Sequence, residues 1–419
     1  MSKQVVDDVA ITSAPPRHRT VLLTSLLVNN LVLFAVYAGV LGVLLPQQVS
    51  DLDPANKAGN LALVTSLSAL ATLFVQPIVG ALSDRTRSRF GRRAPWIAVG
   101  GLGGGLCTIA LQFGHAVLAI AAIWVLAQVL LNALQGPTTA IIADRVEPAG
   151  RGTASAFQGA GIAIGAAGGI TFAGQQLHHL GVGYTVLGVA AIAMTVLFLL
   201  FNRDSPSTGL LLEPFRWGAF VRGFWVSPRR HPDYAWAFGG RFFMVLGYQA
   251  IQNYTLYILT DYLKLDQDRA GSLYGVLSII TSVTMVIGTV AFGRLSDVAG
   301  RRKIFVFVAT VTLAVAVAIP LVVPTTGAML VYAALAGLGY GAYGAVDLAL
   351  MIDVLPSKGD MARDLGVLNV ASNVPQTLTP LAAAALLGAF GGDYRSIFVY
   401  SMVAVAASSL FVLPIKSVR

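Results

Sequence analysis

From Thr20 to Leu45 the chain carries no charged residue, and runs of this kind recur about a dozen times before its end. Each is long enough to cross a hydrocarbon layer about 30 Å thick as one helix. The first run is too long for the core of a secretory signal, and no convincing cleavage site follows it, so it reads as an uncleaved first span. Charged residues make up 11% of the chain and hydrophobic residues 56%, with a mean hydropathy of +0.74. A soluble domain carries about a quarter charged residues, which excludes an ordinary globular protein. A chain of 419 residues holds roughly a dozen spans of about 20 residues. The expected fold class is an all-α integral membrane protein with twelve transmembrane helices.

The spans are expected near 20–45, 60–82, 94–113, 116–143, 152–174, 182–201, 234–262, 271–294, 303–323, 327–353, 364–390 and 395–414. This divides the chain into a six-helix bundle over 1–201, a linker over 202–233 and a second six-helix bundle over 234–419. Within the linker, Trp217, Phe220, Val221, Phe224 and Trp225 recur at helical spacing, the pattern of a short interfacial helix. Of the 28 basic residues, Lys57, Lys264, Arg269 and Arg395 fall on one face of the membrane and Arg241 falls inside a span. The other 23 fall on the opposite face. Positive charge collects on the cytoplasmic side, so both termini and both basic loops are expected there. The net charge of +9 therefore concerns orientation and anionic lipid, not nucleic acid. The short tails suggest a bacterial-type inner membrane as the location.

Two basic loops mark an internal duplication. The first runs Gly80-Ala-Leu-Ser-Asp84-Arg85-Thr86-Arg87-Ser88-Arg89-Phe90-Gly91-Arg92-Arg93-Ala94-Pro95-Trp96. The second runs Gly293-Arg294-Leu295-Ser296-Asp297-Val298-Ala299-Gly300-Arg301-Arg302-Lys303. Lys57-Ala58-Gly59 likewise parallels Arg269-Ala270-Gly271, and Ala143-Asp144 parallels Ile352-Asp353. Parallel six-plus-six repeats are the plan of transporters that rock two bundles around a midplane site. The Gly-x-x-x-Asp…Arg-Arg loops resemble the signature loop of the major facilitator superfamily, over the whole chain. The longer first copy is similar to that of the glycoside–pentoside–hexuronide symporters and the sucrose-transporter-like branch. The resemblance implies the major facilitator fold, alternating access and a conformational latch. Asp84, Arg85, Arg92, Asp144, Asp297, Arg301 and Asp353 would form that latch, the arginines reaching carboxylates or helix ends across the two halves.

Ionisable groups within spans are costly and are functional candidates by default. Arg241 and Asp347 lie at similar depths, about 12 Å at 1.5 Å per residue, in the seventh and tenth spans. Through the repeat they align with Asn29 and Thr138, so the charges belong to one half alone. Either they are a permanent packing pair, or Asp347 carries a coupling proton or cation with Arg241 tuning its proton affinity. Amides and phenols gather on the spans that line the cavity in the resembled family. They are Asn29, Asn30 and Tyr37; Gln128, Asn132 and Gln135; Tyr248, Gln252 and Asn253; Tyr340 and Tyr343; and Asn373. These groups suit hydroxyls and sugar faces, and they equally suit hydrogen bonds between helices.

No Ser/His/Asp arrangement is credible, and an enzyme is not expected. Neither metal nor cofactor is expected: Cys107 is the single cysteine, and His178-His179 has no carboxylate close by in sequence. Gly100-Gly101-Leu102-Gly103-Gly104-Gly105 lacks the Lys-Ser/Thr of a phosphate cradle and reads as close helix packing, as do Gly161, Gly165 and Gly169. The expected function is proton-coupled symport of a small polar solute, a sugar or glycoside, by a chain taken as monomeric. A drug–proton antiporter of the same superfamily is the competing reading. Such proteins usually carry Arg-x-x-Gln-Gly in the fourth span and a Gly-Pro kink in the fifth. Here the residues are Asn132-Ala133-Leu134-Gln135-Gly136 and Gly165-Ala166. Melibiose-permease relatives hold a cation with acidic residues in spans two and four. The second span here has none before Asp84, which favours a proton, or a uniporter with no coupling ion.

Overall fold

The computed structural model describes residues 16–147, 150–208, 232–353 and 361–415, with the side chains of 16–19, 348–349, 352–353 and 361–369 left aside. The first span is α1 (Pro16–Gly39), a π-helical turn (Val40–Leu44) and α2 (Leu45–Leu52). Then follow α3 (Lys57–Arg85), α4 (Ala94–Ala110), α5 (Val117–Arg145), α6 (Arg151–Gly174) and α7 (Leu180–Phe201). The second half comprises α8 (Pro232–Tyr257), which ends in another π-helical turn (Ile258–Tyr262), then α9 (Gln267–Ala299) and α10 (Arg302–Val322). It closes with α11 (Thr326–Asp353), α12 (Met361–Ala389) and α13 (Arg395–Val412). The two π-turns occur at corresponding ends of the first and seventh spans, which the repeat relates. The aromatic periodicity foreseen at Trp217–Trp225 lies outside the described residues.

Ten of these spans are long and apolar enough to cross a bilayer on composition alone. α8 and α12 have spanning length, 26 and 29 residues, and carry several of the amides and the arginine noted above. Helix ends fall where local chemistry stops them. The Asp266 side chain accepts from the Arg269 N–H at 2.9 Å at the start of α9, and Gly300 closes it with φ of 60°. Inside the spans, threonines such as Thr65, Thr138 and Thr255 donate to carbonyls of their own helix, so they need no water.

Within each half the helices pack on one another, α1 on α6, α4 on α5 and α7, and α9 and α10 on α11. A Cβ on Gly165 or Gly169 would strike the main chain of Leu31 or Ala35, so the small-residue stripe brings α6 directly onto α1. In the second half, Ser401 and Ser408 of α13 donate to the carbonyls of Gly247 and Gly240 in α8, each at 2.7 Å. The halves meet along two seams, α3 against α12 and α6 against α9.

Candidate functional site

Arg241 of α8 and Asp347 of α11 face each other, with a guanidinium nitrogen 3.4 Å from the carboxylate. Arg241 Nε also donates to Ser372 of α12 at 2.9 Å, and Tyr343 lies within hydrogen-bonding reach of Asp347. Asp347 is 4% exposed. Removing both charges from water offsets most of their attraction, so such a pair is weak evidence for stability, yet breaking it strands a buried charge. Two helical turns along each helix, Tyr248 and Tyr340 stack with centroids 3.8 Å apart and planes 12° apart. The stack separates the charge pair from a cavity on its other side.

That cavity holds about 170 Å³ between the halves. Its first-half wall is α6, through Ile162, Ala163, Ala166 and Ile170. Opposite stand Tyr248, Gln252 and Thr255 of α8, Tyr274, Ser278, Thr281 and Ser282 of α9, and Tyr332 of α11. Among the described residues, none that lines it is charged. Gln252 donates to the Tyr248 hydroxyl at 2.6 Å, and that phenol accepts here while keeping its own proton to donate. Tyr274 lies within hydrogen-bonding reach of Thr255.

Of the residues singled out from sequence, Tyr248 and Gln252 line this cavity. Tyr340 and Tyr343 lie behind it with the charge pair. Gln128 and Asn132 turn into the first half instead. Gln76 donates to Asn132 at 2.8 Å, and Asn132 donates to the Gln128 carbonyl at 2.8 Å. Asn30 donates to the carbonyl of Leu26 in its own helix. Asn29 is fully buried with neither amide atom partnered, and the Tyr37 hydroxyl is likewise unpartnered. Gln135, Asn253 and Asn373 are half-buried and outside the cavity wall. Sequence reasoning missed the α9 face, although Tyr274, Ser278, Thr281, Ser282 and Met285 follow the i, i+4, i+7, i+8, i+11 spacing of one helical face.

In the first basic loop, Arg93 is 5% exposed and bonds Asp84 (2.5 Å), Asp144 (3.0 Å) and the Ser83 hydroxyl (2.6 Å). Arg92 meets Asp144 at 2.6 Å. The segment after α7 docks here too, through Asp204 on Arg145 (2.8 Å) and the Ser207 N–H on the Ser88 carbonyl (3.0 Å). Gly91, at φ of 89°, gives the loop a left-handed turn against Asp204 where any Cβ would collide. In the second loop Asp297 reaches Arg302 at 3.9 Å, with the carboxylate largely exposed. Among the described residues, the Arg92, Arg93 and Arg302 pairs each join groups of one half, and Arg85 is engaged as well. The Asp353 side chain lies outside the described residues.

Cross-half charge pairs occur at the other end of the bundle. Lys57 meets Asp261 at 2.8 Å and sits 4.8 Å above the Tyr257 ring. Asp261 also accepts from the Tyr394 hydroxyl at 2.7 Å. Tyr257 donates to the Pro46 carbonyl (2.7 Å) and Tyr254 to that of Ala58 (3.2 Å). His178, expected to lack a carboxylate, lies 3.1 Å from Asp268; that partner is 90 residues away and comes near only when the halves meet. The structure is closed at the Lys57 end.

A model of the Major Facilitator Superfamily matches residues 26–285 and, in a second match, 240–418. The chain belongs to that superfamily. Its members are transporters, and its fold is twelve transmembrane helices in two halves. Among curated relatives, the MFS transporter asaE of Aspergillus flavus is 25% identical over 238 residues, covering 56% of this chain and 48% of its own. The sucrose transport protein SUC4 of Arabidopsis thaliana is 37% identical over 101 residues, covering 20% of each. The chain thus spans half or less of the curated relatives it matches. Among solved structures, the nucleoside transporter NupG superposes with a TM-score of 0.76 at 12% identity, over 94% of this chain and 99% of that one. A D-xylose–proton symporter gives 0.67 at 14% identity, over 96% and 98%. A bacterial homologue of the human lysosomal transporter Spinster, in an inward-facing unoccupied conformation, gives 0.69 at 15% identity, over 96% and 95%. At these identities the structural likenesses speak for the fold.

Proposed function

We propose that this superfamily member is a secondary active transporter that moves a small neutral polyhydroxylated solute, a sugar or glycoside, by proton-coupled symport. The observation that carries the reading is an Arg241–Asp347 pair inside the spans, two helical turns from a cavity where phenols, hydroxyls and an amide face an apolar wall and, among the described residues, none is charged. Neutral hydroxyls find paired donors and acceptors on that wall. A charged solute would be desolvated there without a counterion. Asp347 takes up a proton, its pull on Arg241 falls, and the loosened pair is the event that couples the gradient to rocking of the halves.

In this scheme both termini and both basic loops face the cytoplasm across a plasma membrane, with residues 202–233 linking the bundles. In that cycle the Lys57–Asp261 contact is a barrier that parts when the halves rock apart at this end. The Asp84, Asp144 and Asp297 loops supply the opposing latch in the outward-facing member. Support comes from sucrose transport by one partial relative and D-xylose–proton symport by one structural neighbour.

The test is uptake of labelled sugars into proteoliposomes, with and without an inward proton gradient. Accumulation that a protonophore collapses, and that Asp347→Asn lacks, supports the scheme. Uptake that merely equilibrates in wild type reduces the pair to a packing element. The apolar α6 wall favours one second reading, efflux of amphipathic compounds in exchange for protons. Proton-dependent movement of a lipophilic cation with no sugar uptake would establish that reading.

A further inference from the structure

The cavity's dimensions bear on cargo more sharply than its polarity does. Its volume is about 170 Å³. An apolar protein cavity of about 150 Å³ takes one benzene ring, whereas pockets for drug-sized ligands begin near 300 Å³. One six-membered ring with its substituents fills the space between these walls, and a second linked ring would have to project past them, where the cavity is partly open. The walls are also unlike. α6 offers carbon alone, while Gln252, Tyr274 and Tyr332 across from it offer donors and acceptors. A ring with a C–H face and a hydroxyl-bearing edge satisfies both walls at once.

The α6 wall is narrowest in side chain at Ala163 and Ala166, where a larger residue would reach into the ring's place. Both are half-buried, and they stand apart from the Gly161, Gly165 and Gly169 stripe that packs on α1. Changing them therefore alters the cavity without prising α6 from α1.

We propose that this cavity selects a single uncharged hydroxylated ring of monosaccharide or cyclitol size, and that Ala163 and Ala166 are its size filter. The proposal rests on the reading of the chain as a transporter of neutral polyhydroxylated solutes. It narrows the cargo by excluding disaccharides, and it gives a specificity role to a helix that donates no hydrogen bond to the ligand.

The experiment is counterflow in proteoliposomes of the full chain, with labelled D-glucose, D-xylose, myo-inositol, sucrose and maltose as probes. Wild type should exchange at least one single-ring probe and neither disaccharide. In the graded series Ala166→Gly, wild type, Ala166→Val and Ala166→Leu, the KM for a hexose should rise stepwise, by tenfold or more at leucine. The KM for the smaller D-xylose should rise less. Each variant is compared by size-exclusion profile and Tm, and Ala163→Val provides a second, milder test of the same wall. Exchange of sucrose or maltose as fast as any single ring would overturn the size filter while leaving sugar transport standing. An unchanged hexose KM across the folded series would overturn it as well. Exchange of tetraphenylphosphonium with none of the sugars would instead overturn the transport reading beneath it.

Discussion

The half of the molecule that ends with α7 and the half that begins with α8 use their polar residues differently. In the first, Gln76, Gln128 and Asn132 turn amide to amide, Asn30 binds its own helix, and the wall given to the cavity is isoleucine and alanine. In the second, Tyr248, Gln252, Tyr274 and Tyr332 look into the cavity, and Arg241 and Asp347 lie just behind. The repeat places Asn29 opposite Arg241 and Thr138 opposite Asp347. One ancestral scaffold thus supplies chemistry from one copy and shape from the other. Charges are costly in a bundle, and confining them to one half leaves the other free to be a rigid, close-packed counterpart.

The sharpest way to break this contrast is Asp347→Asn. If coupling belongs to the second half, the variant loses gradient-driven accumulation, its internal-to-external ratio falling to about one, while counterflow at equal pH persists. Normal accumulation would leave the pair a packing device. Next in size is Arg241→Gln, which strands Asp347 in a dry site. Loss of one member of a buried pair costs about 3–5 kcal/mol, read as a large fall in Tm at neutral pH and partial recovery in the double variant with Asp347→Asn. Gln252→Ala removes one hydrogen-bonding partner from the cavity and should raise KM about tenfold, the equivalent of about 1.4 kcal/mol, with Tm little changed.

Asn132→Ala, on the first-half side, should show the reverse. It should lose about 1–2 kcal/mol of stability and keep KM within about twofold. A KM effect as large as that of Gln252→Ala would erase the contrast. The smallest effect is expected from Lys57→Gln. The Lys57–Asp261 pair is partly exposed, and such pairs contribute about 1 kcal/mol or less. That is enough to shift the populations of the two facing states a few-fold. Spin-label distances across the Lys57 end should show a larger separated fraction.

The spans, the duplication and the depth-matched Arg241 and Asp347 were legible because bilayer physics writes them as runs and exceptions. A charge in hydrocarbon has few places to go, and two at one depth tend to meet. The α9 face was not legible. Serines and threonines can donate to carbonyls of their own helix or, as Thr281 does to Ala333, of a neighbour, so Ser278 and Thr281 look alike in sequence whether they face lipid, a neighbour or a cavity. Asp261 was passed over because a carboxylate near a span end reads as a loop charge, and its partner Lys57 is 204 residues away. The amide cluster of the fourth span was visible as one face, but hydropathy carries no sign of whether that face looks at a ligand or at Gln76.

The π-helical turns at Val40–Leu44 and Ile258–Tyr262 have a consequence for chain length. Each fits an extra residue into its turn, so everything beyond is rotated by about 100° relative to an uninterrupted α-helix. Pro46, which receives the Tyr257 hydroxyl, and Gln48, which receives that of Tyr184, both owe their direction to this phase advance. Removing one residue from Val40–Leu44 would heal the helix into regular geometry and leave both acceptors on their partners, whereas straightening the turn at full length would swing both away. A regular turn of unchanged length, with hydropathy and charge untouched, would thus unfasten the closed end, because there the seal depends on how many residues the turn holds as well as on their kind.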